Sequence, residues 1–134
     1  MMDKTTWIML TVVIIVCTTA WLLWPAGAEF KPLNVKIPET FTAEAWEGGE
    51  LFRSHCQKCH GVNGSGTDRG PPLVHLIYEP SHHSDASFYR AVAQGVTQHH
   101  WPYGNMPALP DITREEVAKV IRYVRELQVA NGIE

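Results

Sequence analysis

The sequence predicts an all-α protein: one transmembrane helix, then three main helices joined by long loops. Three observations carry that prediction. An uncharged run of 18 residues lies near the start, "WIMLTVVIIVCTTAWLLW" from Trp7 to Trp24. Three later stretches combine helix caps or stops with apolar residues at helical spacing. No stretch shows a convincing strand pattern.

As a helix the uncharged run is about 27 Å long, close to the hydrocarbon thickness of a bilayer. Trp7, Trp21 and Trp24 lie near its ends, where amphipathic rings favour the membrane interface. Pro25 and Gly27 then stop the helix. Residues 1–28 therefore read as a membrane anchor or as a secretory signal. Ala26-Gly27-Ala28 resembles a signal cleavage site, and cleavage near Ala28 would leave a soluble periplasmic protein. The run exceeds the roughly 7–15 residues of a signal core, which favours the anchor. Either way, the rest of the chain is sent across a membrane. Lys4 is offset by Asp3, so charge does not set the orientation. Cys17 reads as a small apolar residue of this helix. Val16 before it lacks the small side chain that a lipoprotein site would want.

Residues 29–41 hold Pro32 and Pro38 and read as an extended linker with no core of its own. At about 3 Å per residue it could hold a domain tens of ångströms from the bilayer. The domain then covers 42–134. Its first helix is "TAEAWEGGELFRSHC", with Thr42 as N-cap and Glu44 in the first turn. Gly48 and Gly49 cost helix stability, which points to close backbone packing there. The second helix is "SDASFYRAVAQG". Ser84 can cap it, Phe88 and Val92 share a face, and Gly95 can end it. The third opens on a Thr113/Glu116 capping box, and Val117, Val120, Ile121, Val124 and Leu127 follow at helical spacing before Gly132. Three helices and Gly/Pro-rich loops make a thin core, so something besides protein is expected to fill the middle. The net charge of −3 gives no reason to expect a nucleic-acid partner.

The chemistry concentrates in "SHCQKCHG", where Cys56, Cys59 and His60 form Cys-x-x-Cys-His. A structural zinc site needs four ligands, and a second Cys pair is absent; His82, His83, His99 or His100 would have to complete the set. A thioredoxin-like redox pair would want a βαβ pattern, and none is visible. The third reading is covalent attachment of haem c through Cys56 and Cys59. One helical turn holds both sulfurs against the two vinyl edges of a porphyrin, and His60 then lies under the iron. The chain has four methionines, three of them in the N-terminal segment. Met106 alone belongs to the domain, in the loop "YGNMPALP", and can offer a thioether from the other side. Met/His ligation raises a haem's reduction potential.

With these residues in order, the domain resembles a class I c-type cytochrome of the mono-haem bacterial kind, roughly over Thr42 to Gly132. "GGELFRSHCQKCHG" resembles that family's N-terminal helix, with Gly48 and Phe52 one turn apart. "GVNGSGTDRGPPL" resembles the loop after the haem histidine, "NMP" the distal-ligand loop, and "VAKVIRYVREL" the C-terminal helix, with Tyr123 at the aromatic position across from Gly48. The resemblance implies a cytochrome c fold of three main helices and long loops around one haem. It implies that the Pro71 carbonyl accepts a hydrogen bond from His60, and that Leu73 packs on the porphyrin. Phe88, Trp101 and Tyr103 are candidates for the pocket wall or for ordinary core.

The implied function is a membrane-tethered periplasmic electron carrier with His60 and Met106 as iron ligands, and not an enzyme in its own right. Its partners would be membrane-bound or periplasmic redox proteins, with the membrane engaged through residues 7–24. The alternative is a dedicated cytochrome c subunit of a respiratory reductase or oxidase. A sensor or peroxidase with a labile distal ligand is a third reading. Lys58 and Arg69 flank the motif and could steer an acidic partner. The histidine pairs His82-His83 and His99-His100 read as solvated loop residues, with copper binding, a partner contact or replacement of Met106 as the sharper options.

Overall fold

The chain is described from a computed structural model over residues 3–24 and 30–134. Among these residues there are five α-helices and no strand.

Helix α1, Lys4–Leu23, is apolar all round, and none of its side chains is buried. Asp3 caps it, accepting a hydrogen bond from the Thr6 amide at 2.7 Å. Its polar side chains are satisfied from within. The hydroxyls of Thr11, Thr18 and Thr19 each donate to carbonyls three and four residues back. A helix that solvates its own hydroxyls and exposes only apolar surface suits a lipid environment. Its 20 residues span about 30 Å, compatible with a membrane anchor.

The core of the remainder is a crossing of two helices. These are α2, Ala43–His55, and α5, Arg114–Ala130. Both start as the caps predict. Thr42 accepts from the Ala45 amide, and Thr113 and Glu116 cap each other reciprocally. From α2, Ala45 and Phe52 are buried; from α5, Val117, Val120, Ile121, Val124 and Leu127 join them. Gly48 is what lets the helices meet. A Cβ there would lie 1.9 Å from the Lys119 carbonyl oxygen, so any side chain would wedge the backbones apart. Tyr123 covers this crossing, with its ring 5.6 Å from Phe52 and 5.2 Å from Phe41. Its hydroxyl donates to Asn63 at 2.7 Å and so ties α5 to the loop after the cysteines.

Helix α3, Gln57–His60, is a single turn that carries the motif. Helix α4, Asp85–Gln94, packs on α5. Ser84 holds the N-cap position of α4, but its side chain makes no capping bond. Asp85 accepts from Arg125 Nε at 2.9 Å instead. Gly95 ends α4 with φ of 76°.

The stretch 30–41 is extended as expected, but it is no free spacer. The Leu33 amide donates to the Ser65 carbonyl at 2.9 Å. The Lys36 amide donates to Asn131, whose own amide returns a bond to the Lys36 carbonyl. Val35 and Phe41 pack against the core. Val35, Phe41 and the bonds to Asn131 and Ser65 fasten the segment to the domain, so it does not hold the domain off at the reach of a free spacer.

Candidate functional site

The motif is placed by the end of α2. The Cys56 amide donates to the Phe52 carbonyl, and the His60 amide donates to the Cys56 carbonyl at 2.9 Å. The chain therefore continues helically through the cysteines, with Phe52 buried beneath, Cys56 half-buried against the core and Cys59 exposed. Neither thiol is in a disulfide. Burial, with the neighbouring Cys59 adding to it, pushes the Cys56 thiol up to about 11.

After His60 the loop doubles back. The Gly66 amide donates to the His60 carbonyl at 2.7 Å, and the Thr67 hydroxyl donates to the Cys59 carbonyl at 2.6 Å. This return brings the Pro71 carbonyl to 2.9 Å from His60 Nδ1. A carbonyl can only accept, so Nδ1 carries the proton and Nε2 keeps its lone pair. Burial lowers the pKa of His60, against the opposing pull of the Pro71 bond, and so favours the neutral, ligating form.

Met106 is placed from the other side. Its backbone exchanges two hydrogen bonds of 2.9 Å with Val96, just past the end of α4, and the Leu109 amide donates to the Val92 carbonyl. Gly95 permits this closeness, since a Cβ there would stand 2.5 Å from the Met106 carbonyl oxygen. The distal loop is thus pinned to α4.

Between the two sides lies a cleft of about 560 Å³. Cys56, Cys59, His60, Pro71, Leu73 and Met106 all line it, and so do Phe88, Trp101 and Tyr103. Its volume is in the range of sites that enclose a large ligand. Burial raises the phenol of Tyr78, also on the wall, to about 12. Lys58 and Arg69 do not line the cleft. Cys56 and Cys59 do not gather distant histidines into a metal cluster among the described residues. The histidines cluster with one another.

Residues 45–128 match the sequence profile of the cytochrome c family. The chain belongs to the cytochrome c family. Its cofactor is therefore haem, and its chemistry is haem-based electron transfer. A relative, cytochrome c oxidase subunit 2 of Alkalihalophilus pseudofirmus, is 27% identical over 106 residues, 72% of this chain and 30% of the relative. The chain thus spans about a third of that relative's length.

The cleft of this cytochrome c domain fits such a group on its own terms. Two thiols, one oriented imidazole and one thioether face a single, mainly apolar space. The Trp101 indole N–H is buried beside it, near the Tyr78 hydroxyl, and makes no well-formed hydrogen bond among the described residues. An unpaired buried donor is costly, so a ligand bringing an acceptor to this wall suits the site.

Sequence reasoning missed the polar clamp behind the cleft. Gln128 is fully buried, and its amide donates to the carbonyls of Leu73 and Tyr78 at 2.8 and 2.9 Å. Arg125 donates to the carbonyls of Tyr78 and His83 at 2.8 and 2.6 Å, and to Gln128. Two polar residues on the inward side of a predicted amphipathic helix were the available signal.

Proposed function

We propose that the protein is a membrane-tethered, one-electron carrier whose single haem is bound covalently through Cys56 and Cys59. The observation that carries this reading is the convergence of Cys56, Cys59, His60 and Met106 on one cleft. The haem supplies a one-electron Fe(III)/Fe(II) couple. His60 would ligate the iron through Nε2, with its ring held by the Pro71 carbonyl; that second bond fixes the tautomer and strengthens the donor. Met106 would supply the sixth ligand. Held by both His60 and Met106, the iron would serve electron transfer rather than substrate binding. Leu73 and the aromatic wall would shield the haem from water, and such burial would raise its potential.

Helix α1 would anchor the chain in the cytoplasmic membrane with the haem domain on the periplasmic side, where it meets membrane-bound or periplasmic redox partners. An anchor raises the effective concentration of the domain for such partners. The second reading is a dedicated subunit of a respiratory enzyme, and the likeness to an oxidase subunit 2 favours keeping it. Co-purification separates the two. A carrier leaves the membrane complex on mild detergent extraction, and a subunit stays.

Intact mass of the protein from native membranes tests the core of this reading. Full-length chain plus one haem supports covalent attachment and the anchor together. A chain beginning near Glu29 plus one haem keeps the carrier but makes it a soluble periplasmic shuttle. A chain without added haem mass overturns covalent attachment.

A further inference from the structure

Four histidines stand together on the rim of the cleft. His82 and His83 come from the loop before α4, and His99 and His100 from the loop between α4 and Met106. Ring centroids are 4.7 Å apart for His82 and His83, 5.4 Å for His82 and His100, and 5.3 Å for His83 and His100. His99 packs on His100 at 4.4 Å. One ring nitrogen from each of His82, His83 and His100 lies within 4.8 Å of the others. Such convergence from two separate loops is not what solvated loop histidines require.

The hydrogen bonds orient the donors. His83 Nδ1 is 2.5 Å from the Ile77 carbonyl, so it is the protonated nitrogen, and Nε2 keeps a lone pair. His82 Nε2 and His100 Nε2 are 3.4 Å apart. That is longer than an ordinary hydrogen bond of about 2.7–3.2 Å. It equals the separation of about 3.3–3.4 Å expected of two nitrogens that share one tetrahedral ion at 2.0–2.1 Å. Behind the site, Arg125 holds the His83 carbonyl at 2.6 Å, so the loop is braced against α5.

We propose that His82, His83 and His100 form a binding site for a divalent transition-metal ion, with copper(II) bound more tightly than zinc(II). The donor set is three imidazoles with no carboxylate, which excludes calcium and magnesium as preferred ions. Imidazole suits both copper and zinc, and the general affinity order for such sites places copper(II) above zinc(II). His82 and His100 are exposed and can turn by the further ångström that brings all three nitrogens into ligating range. Three protein ligands leave one coordination position for water or a partner's side chain. The site uses neither His60 nor Met106, so it stands whether or not those residues ligate the haem iron.

The test uses the untagged, full-length, haem-loaded protein in detergent. Calorimetric titration with zinc chloride is expected to show one equivalent bound. Copper(II) at one equivalent is expected to give an electron paramagnetic resonance signal split by imidazole nitrogens. The double variant His82→Gln/His100→Gln is expected to lose about 100-fold or more in zinc affinity, since even residues that only orient ligands contribute about 10–100-fold. The haem absorption spectrum reports whether the variant is folded. Should the double variant fail to acquire its haem or show an altered haem spectrum, His82→Gln alone is read in the same way, with a loss of at least about tenfold. A wild-type protein that binds no stoichiometric zinc or copper at micromolar concentrations overturns the proposal. So does a folded variant with unchanged affinity.

Discussion

Replacing Gly48 by alanine isolates the crossing on which the cleft is built. Two effects oppose each other. Alanine in a helix interior is favoured over glycine by about 0.8–1.0 kcal/mol, so an isolated α2 would gain. Against this, the new Cβ would stand 1.9 Å from the Lys119 carbonyl oxygen and 2.4 Å from its carbon. Both are backbone atoms and cannot rotate away. The helices must separate by about 1 Å to regain the 3.0 Å floor for such contacts, and that loosens Phe52 and Val124, both within 1% of full burial. Overpacking of this kind costs about 3 kcal/mol, the upper end of its usual range. The net expectation is a loss of about 2 kcal/mol, or roughly 8–16 °C in Tm for a domain of this size. Guanidinium unfolding of the holoprotein, followed by haem absorbance, measures it. Gly49→Ala is the control, because its Cβ meets the edge of the Tyr123 ring at 3.1 Å and a ring can tilt. A Gly48→Ala protein as stable as wild type or more so would show that helix propensity dominates and that the close approach is not a constraint.

Met106→Ala should lower the reduction potential by on the order of 0.1 V, a fraction of the roughly 0.8 V that axial ligands span. It should also let carbon monoxide bind the reduced haem. An unchanged spectrum and potential would remove Met106 as a ligand. Arg125→Lys keeps the charge but loses the fork that holds Tyr78, His83 and Gln128. It should destabilise by about 2 kcal/mol and raise amide exchange over residues 78–85; a change within about 0.5 kcal/mol would refute the clamp. Thr113→Ala should weaken α5 by about 1 kcal/mol through loss of its cap. The bonds from Thr113 hold the Glu116 carboxyl below its ordinary value of 4.5. A depressed folded-state value stabilises above pH 4.5 and is lost as the pH falls through it. Thr113→Ala removes the hydroxyl's share of this effect and keeps the backbone N–H bond, so stability of the wild type should decline somewhat more steeply than that of the variant as the pH falls below about 4.5, as read from melts in that range.

The parts legible in the sequence were those coded locally. Thr42, the Thr113/Glu116 pair and the apolar spacing of Val117 to Leu127 each act within a few residues, and α2 and α5 form as those signals predict. Cys-x-x-Cys-His is local too, and it led to the family. What stayed hidden depends on contacts across the chain. Arg125 reaches His83 over 42 positions, and Lys36 pairs with Asn131 over 95. Asn63 meets Tyr123 only because the loop after the motif folds under α5. The two histidine pairs look like separate loop decoration until α4 turns the chain and sets them side by side. Ser84 makes no side-chain cap because the Ser87 amide that such a cap would engage donates to the Ser84 carbonyl at 2.8 Å instead.

The fastening of residues 30–41 sets the length of the leash. Leu33 is bound to Ser65 and Lys36 to Asn131, so these residues move with the haem domain. The nine links from Trp24 to Leu33 can reach at most about 32 Å. With α1 as the proposed anchor, the domain is restricted to a shallow layer above the lipid surface and searches for partners in two dimensions. Under that proposal a redox partner would have to present its electron port within that layer, and a centre carried high on a tall extramembrane domain would be out of range, however favourable its potential.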